Sequence, residues 1–412
     1  MTGILALGLA AAVQAGAAGG DCAIGLYRSK AGTEQFAISA GARGQLRYTF
    51  VDGRRGTVGA PNSPFRCESG IIRSGEDNWS VVPLRLTESR FKSHDQELSA
   101  VLIEPATPGP HPLVVFVHGS ERSSPRLGSY PYLLAAQGLA VFAYDKRGTG
   151  ESEGDYTQNF ELLADDAAAA MREARRVAAG RFNRAGFFGG SQGGWIAPLA
   201  ATRSPADFVA VGFGLMASPL EEDHSQVLTE MREHGYSAAD QAEAAELADA
   251  AGALVASHFT TGFERLADLK RRYSGKPWFR QIKGEFTGEI ARSDEAELRR
   301  VGRALYDNLE LIWDYDALPP IKRLQVPQLW ILAEKDREAP PETTLARLGA
   351  ARREGADLAI YSFPDTDHGM AEFTEDANGA RTVTRITEGY FRLLADWIKG
   401  RVEGRYGRAR KR

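Results

Sequence analysis

Ser191 stands in Gly189-Gly190-Ser191-Gln192-Gly193-Gly194, between the apolar run Ala185 to Phe188 and the helix-like stretch Trp195 to Ala201. Gly-x-Ser-x-Gly between a strand and a helix is the setting of a nucleophile elbow, a tight turn that presents a serine hydroxyl at the end of a sheet. Glycine is needed on both sides, because a Cβ there would collide with the strand and helix as they cross. A plain Gly-rich turn is the competing reading, since 44 glycines make the pattern common by chance. The strand–turn–helix context decides for a nucleophile. A serine hydroxyl attacks a carbonyl only when a base takes its proton, and that base needs a carboxylate to orient it.

Both partners are expected after Ser191, in the order serine, acid, histidine. Val326 to Ala333 (VPQLWILA) predicts a buried strand that runs into Glu334-Lys335-Asp336. Leu358 to Phe363 predicts another, which runs into Pro364-Asp365-Thr366-Asp367-His368-Gly369. Asp336 and His368 therefore each occupy a loop just past a strand's carboxyl end, where open α/β sheets build their active sites. Of the seven histidines, His94 and His111 precede the core strands and His224, His234 and His258 fall in a helical insertion. His118 suits a structural or oxyanion-loop role, which leaves His368 as the candidate base. Asp336 is the preferred acid. Asp365 and Asp367 stand too close in sequence to His368 to approach its ring easily, Glu334 points off the strand, and Asp314 and Asp316 suit caps or loop ties.

Leu113 to Val117 predicts a central strand leading into His118-Gly119-Ser120. Glycine at 119 lets the backbone approach a scissile carbonyl, and a main-chain N–H after it is placed to point inward. With the N–H of Gln192 this makes a two-donor oxyanion hole; Ser120 is the preferred second donor and Glu121 the alternative. An ordinary strand–turn is the bland reading of the same residues.

Together these segments resemble the α/β-hydrolase superfamily, from about Val81 to Lys399. The resemblance rests on His118-Gly119-Ser120, on Tyr144-Asp145-Lys146-Arg147-Gly148-Thr149-Gly150-Glu151-Ser152, and on GGSQGGW at 189–195. It extends through Tyr315 to Leu329 and ends in Glu334-Lys335-Asp336. It implies an α/β fold with a mostly parallel central sheet flanked by helices. It also implies that nucleophile, acid and base are Ser191, Asp336 and His368. The pattern is similar to bacterial esterases and to serine peptidases of the dienelactone hydrolase and prolyl oligopeptidase neighbourhood, which often carry Ser-Gln-Gly-Gly at the elbow. Asp145 and Arg147 would then brace the loops around the site. Glu334 departs from the pattern, standing where relatives commonly have glycine.

The remaining chain divides by pattern. Residues 1–20 read as a secretory leader, with the apolar run Ile4 to Val13 and a Val13-Gln14-Ala15 cleavage site, although the first Lys or Arg is Arg28. The run is too short to span a bilayer. Residues 21–80 show short alternating runs, such as Gln45 to Val51, between turn signals, and predict a small antiparallel β module. The catalytic body takes 81–220 and 314–400, a helical cap takes 221–313, and a basic, solvated tail takes 401–412. Within the cap, Ser237-Ala238-Ala239-Asp240 resembles a capping box. Leu298, Val301, Leu305, Leu309 and Ile312 repeat as one apolar helix face. Trp278, Phe279 and Trp313 are candidates either to line a substrate pocket or to fill the cap's core.

Cys22 and Cys67 are the only cysteines. In an exported protein they predict a disulfide, worth roughly 4 kcal/mol in the chain-entropy view; in the cytosol they would be free thiols. The 412 residues, 43% hydrophobic, bury an ample core, and a net charge of −4 offers no nucleic-acid footprint. The expectation is a periplasmic or secreted serine hydrolase that cleaves carboxylic esters through an acyl-enzyme. Its partner is a small-molecule ester or amide, with no stable membrane insertion, and oligomeric state is unreadable. A serine peptidase or amidase is the alternative, and it would need an acidic anchor for the substrate amine, such as Glu221-Glu222-Asp223. No metal or organic cofactor is implied; Asp365-x-Asp367-His368 resembles a ligand cluster only weakly.

Overall fold

Strands covered on both faces of a sheet read as unbroken apolar runs, and such runs build the centre of this chain. The computed structural model describes residues 22–412, so the leader reading for 1–20 lies outside the described residues. After seven short strands, β1 (Gly25–Arg28), β2 (Gln35–Ala40), β3 (Leu46–Phe50), β4 (Arg55–Thr57), β5 (Arg66–Glu68), β6 (Ile71–Ser74) and β7 (Asp77–Val81), the main sheet begins. Its first half comprises β8 (Leu84–Ser93), β9 (Gln96–Pro105), β10 (His111–Val117), α1 (Ser129–Ala136), β11 (Ala140–Tyr144), α2 (Phe160–Val177), β12 (Phe182–Gly190), α3 (Gly193–Ala201) and β13 (Phe208–Gly212). After the cap follow α9 (Leu318–Arg323), β14 (Gln328–Ala333), α10 (Pro341–Arg353), β15 (Leu358–Phe363) and three short strands, β16 (Thr366–Asp367), β17 (Ala371–Glu375) and β18 (Arg381–Ile386). Helix α11 (Tyr390–Ile398) and β19 (Arg410–Lys411) close the chain.

The sheet order is β19-β15-β14-β13-β12-β10-β11-β9-β8. Strands β10 to β15 run parallel, while β8, β9 and β19 are antiparallel to their neighbours. Alternation sends Leu113, Val115 and Val117 toward α2 and α3, and Val114 and Phe116 toward α1 and α11. Each such buried side chain contributes about 1.5–3 kcal/mol by leaving water. From β10 the chain first steps to β11 on one side, then returns through α2 to β12 on the other. That reversal opens a crevice at the carboxyl ends of β10 and β12, the place where doubly wound sheets bind ligands.

The first seven strands form a separate antiparallel sheet, ordered β4-β3-β2-β1-β7-β6-β5. Phe36 sits at its centre, with the Phe65 and Trp79 ring centres each 4.7 Å away, and Cys22 is bonded to Cys67. The module packs on α1, and the Ile386 N–H donates to the Gly53 carbonyl at 2.9 Å. Gly53 has φ +96°, and a Cβ there would run into the Ile386 carbonyl, so this contact requires glycine.

Between β13 and α9 lie α4 (Pro219–Glu233), α5 (Ala238–Ala256), α6 (Phe263–Tyr273), α7 (Thr287–Arg292) and α8 (Glu295–Tyr306). They bury an apolar cluster of their own, with Trp278 and Phe279 inside it and Trp313 packed against it. These aromatics therefore hold the cap together. Ser237 Oγ caps α5 by accepting the Asp240 N–H at 3.2 Å, whereas the reciprocal capping box forms at Ser218 and Glu221 on α4. The apolar repeat from Leu298 outruns its helix: α8 stops at Tyr306, and the Leu309 carbonyl instead accepts the Gln158 N–H at 2.7 Å.

The last residues of the basic tail are exposed, yet they join the sheet. Arg410 and Lys411 pair with β15 as an edge strand, and the Arg410 and Arg412 guanidiniums meet the Glu334 carboxylate. Glu334, off-pattern for glycine, also accepts from Ser362 Oγ at 2.7 Å. Its acidic side chain thus anchors the chain terminus on the sheet.

Candidate active site

The β12-to-α3 turn holds Ser191 at φ +52°, a conformation that costs an L-residue of order 1–3 kcal/mol. A Cβ on Gly189 would run into the Gly193 carbonyl, and one on Gly193 into the Val117 carbonyl. Close passage of β10, β12 and α3 thus demands both glycines. Register places Val117 beside Gly189, Gly190 beside Gly212, and Ala333 beside Phe363. Consequently the loops after β10, β12, β14 and β15 open on one edge of the sheet.

Three side chains from these loops meet. His368 Nε2 lies 3.0 Å from Ser191 Oγ, and its Nδ1 lies 3.0 and 3.2 Å from the two carboxylate oxygens of Asp336. Asp336 is 3% exposed, and its Oδ1 accepts the N–H groups of Glu338 at 3.0 Å and Ala339 at 2.7 Å. Asp367 fixes the backbone below the imidazole, accepting the His368 N–H at 2.9 Å and the Arg337 N–H at 3.0 Å. It also pairs with Arg381 at 2.7 Å. Asp365 pairs with Arg408 at 2.7 Å, so neither aspartate is arranged with His368 as a ligand cluster. Asp316 Oδ1 accepts the Leu318 N–H at 3.0 Å, just ahead of α9.

The other histidines lie in unrelated contacts. His94 meets Asp165, His111 the Thr107 carbonyl, His224 Asp249, His234 the Glu230 carbonyl and His258 Asp307. His118 is buried at the end of β10 with Nδ1 3.3 Å from Glu121 Oε1.

Carboxylates crowd His368. Glu338 Oε2 is 3.5 Å from Nε2, and Gln226 Nε2 ties the Glu285 carboxylate to the Glu338 carbonyl, at 2.7 and 2.6 Å. Burial disfavours the imidazolium, but the charge and hydrogen bond of Asp336, then Glu338 and Glu222, outweigh it and raise the His368 pKa to about 10. Burial together with the neighbouring Glu285 lifts Glu222 well above the usual carboxylate range. Of the proposed Glu221-Glu222-Asp223 anchor, only Glu222 faces this cluster. Glu221 is held by Arg347 at 2.5 and 2.8 Å, and buried Asp223 accepts the Phe286 and Thr287 N–H groups. Phe213, at φ +43°, stacks edge-on against the His368 ring with centres 5.2 Å apart. Sequence reasoning missed Phe213, Glu285 and Glu338; a glycine on each side of Phe213 was the one local signal.

Gln192 begins α3 and is 4% exposed. Gly119, at the head of the β10 loop, packs against Ser191: a Cβ there would stand 3.2 Å from Ser191 Cβ. Gln192 follows Ser191 directly as the N-cap of α3, and Ser120 follows Gly119 in the β10 loop. Arg147 braces the body through two bonds to Asp166 of α2, at 2.8 and 2.6 Å. Asp145 does so through Ser124 and the Glu151 N–H.

Residues 108–243 match the family described as serine aminopeptidase, S33. No curated protein matches the sequence significantly. Among solved structures, an esterase of Pyrococcus furiosus is 14% identical, with 69% of this chain and 85% of that chain covered and a TM-score of 0.43. An acylaminoacyl peptidase of Pyrococcus horikoshii is 16% identical, with 90% and 53% covered and a TM-score of 0.46. A puromycin hydrolase is 16% identical, with 91% and 47% covered and a TM-score of 0.44. The chain thus spans about half the length of the latter two.

Proposed function

We propose that this chain is a serine hydrolase of the α/β-hydrolase superfamily and that it cleaves carboxylic esters through Ser191, His368 and Asp336. The observation that carries the reading is the unbroken line from Ser191 Oγ to His368 Nε2 and from Nδ1 to buried Asp336. His368 Nε2 takes the Ser191 proton as Oγ bonds to the ester carbonyl carbon. Asp336 keeps Nδ1 protonated and stabilises the imidazolium that forms. The N–H groups of Gln192 and Ser120 receive the oxyanion. Collapse breaks the carbon–oxygen bond, and Nε2 returns the proton to the departing alkoxide. Water repeats the sequence on the acyl-enzyme, releasing the acid and restoring Ser191.

A second reading, cleavage of an amide bond next to a free amine, is favoured by one observation. Burial, and the crowding of Glu222, Glu285 and Glu338 on one another near His368, raise the pKa of Glu222 and Glu338, and a substrate ammonium placed there would favour their ionised forms. Rates on p-nitrophenyl esters of increasing acyl length, set against aminoacyl-p-nitroanilides, separate the two. Ester turnover with little anilide cleavage is the expected result; anilide turnover that needs a free α-amine would establish the peptidase instead. Ser191→Ala should lose on the order of 10⁴–10⁶ in rate, and Asp336→Asn about 10³–10⁴ in kcat by favouring the wrong imidazole tautomer. Retention of a tenth of the wild-type rate by Ser191→Ala would rule out this nucleophile.

A further inference from the structure

Lys146 follows β11 and is 2% exposed. Its Nζ donates to the Gly119 carbonyl at 2.5 Å and lies 5.2 Å from the centre of the Tyr156 ring. The Tyr156 hydroxyl in turn donates to the Ser120 carbonyl. In a trans peptide the C=O and N–H point in opposite directions, and no described peptide is cis. The grip of Lys146 on the Gly119 carbonyl therefore fixes the direction of the Ser120 N–H, and that of Tyr156 fixes the Glu121 N–H. The Glu121 carboxylate lies over this turn, where a Cβ on Gly119 would stand 2.7 Å from its Oε2. The Ser120 amide is thus the donor whose direction Lys146 sets.

We propose that Lys146 is the positioning residue of the oxyanion hole, aiming the Ser120 N–H through the Gly119 carbonyl and polarising it. The inference rests on the Ser191 mechanism above. A charged donor on a peptide carbonyl makes a stronger bond than a neutral one, and hydrogen bonds in series through a peptide reinforce each other. Local structure commits Lys146 to this task. Its carbonyl accepts the Thr149 N–H at 2.9 Å and Thr149 Oγ1 at 2.8 Å. Its neighbours Asp145 and Arg147 are tied to Ser124 and Asp166. Burial lowers the lysine pKa to about 8 against the pull of Glu121, yet the ammonium remains the prevailing form at neutral pH.

The test compares Lys146→Met and Lys146→Gln with wild type on a p-nitrophenyl ester and on a trifluoromethyl ketone, which forms a tetrahedral oxyanion at the nucleophile. Lys146→Met should lower kcat about 10–100-fold, within the range for a lost or misaimed oxyanion donor, with KM changed by less than about threefold. Inhibition by the ketone should weaken by the same factor as kcat. Lys146→Gln, which keeps a donor, should recover part of both. A lysine that only holds the fold would lower thermal stability and leave ketone affinity of the folded fraction unchanged, and that result overturns the proposal. Kinetics and ketone affinity within about twofold of wild type in both variants overturn it as well. Ser191→Ala in the same assay separates the two readings: if it is active, the nucleophile is wrong; if it is dead while both Lys146 variants are normal, only the positioning role falls.

Discussion

In the proposed mechanism His368 must be neutral to accept the Ser191 proton, and its surroundings oppose that. Asp336, Glu338 and Glu222 favour the imidazolium strongly enough to overcome burial, raising the pKa to about 10. Since only the deprotonated base acts, kcat/KM of the free enzyme should climb with pH along a limb above histidine's ordinary value of about 6.5. Glu338 is the adjustable part, because it touches Nε2 without belonging to the hydrogen-bonded line. Glu338→Gln removes one negative charge, so the proton should leave at lower pH and the limb should move down by up to about one unit. A pH–rate profile checks both statements. A wild-type limb at or below 6.5, or one unmoved in Glu338→Gln, would show that these carboxylates do not govern the base. A cationic substrate in the same place would neutralise them and lower the His368 pKa on binding, which links substrate charge to activation of the base.

At the scale of elements, the C-terminal strand is the least anticipated contributor. Strand β19 covers the edge of β15, where the Arg412 N–H donates to the Ile360 carbonyl at 2.9 Å and Arg412 Nε to Ser362 Oγ at 2.6 Å. A bare edge next to an active-site strand would expose unpaired backbone groups. Isolated surface ion pairs contribute little, but Glu334 receives two guanidiniums and a hydroxyl at once. Glu334 also lies two residues before Asp336, so the same cluster steadies the acid loop. Deleting residues 408–412 should destabilise the protein by about 1–3 kcal/mol. Glu334→Gly should add little to that loss, because both changes remove one shared cluster. Thermal unfolding of the two single changes and their combination decides this: strictly additive losses would mean that Glu334 and the tail act independently.

Over the whole molecule, the N-terminal module is joined to the α/β body near the segment that carries His368. Gly53 grips Ile386 at the end of the hairpin β17–β18, which begins three residues beyond His368. A small β module buries little core of its own, so the Cys22–Cys67 bond matters more to it than to the body. Reduction should increase hydrogen exchange across residues 25–81 far more than in β10 to β15, while ester turnover persists. Exchange rising equally in both sheets would mean that the two unfold as one unit. The bond also implies assembly in an oxidising compartment. Mass spectrometry of protein from its native source should find Cys22 linked to Cys67 and a chain starting near Gly16; an intact Met1 with two free thiols would sink both expectations.

The sequence by itself determined where a nucleophile, an acid and a base could stand. A glycine-flanked serine between strand and helix, and loops that follow unbroken apolar strands, are local patterns fixed by backbone sterics and by burial on two faces. They remain legible without knowledge of what packs beside them. The tertiary structure alone decided the direction of side chains between distant segments. Lys146 reaches Gly119 because β11 lies beside β10 in parallel register. Glu338 turns toward His368 because β14 lies beside β15. Trp278 fills the cap rather than a substrate pocket, since an aromatic in a helical insertion satisfies the same periodicity in either place. Arg410 and Arg412 read as solvent charges until Glu334 is brought beneath them. Such contacts depend on the relative placement of whole elements, which the packing of both sheet faces fixes and local spacing does not encode.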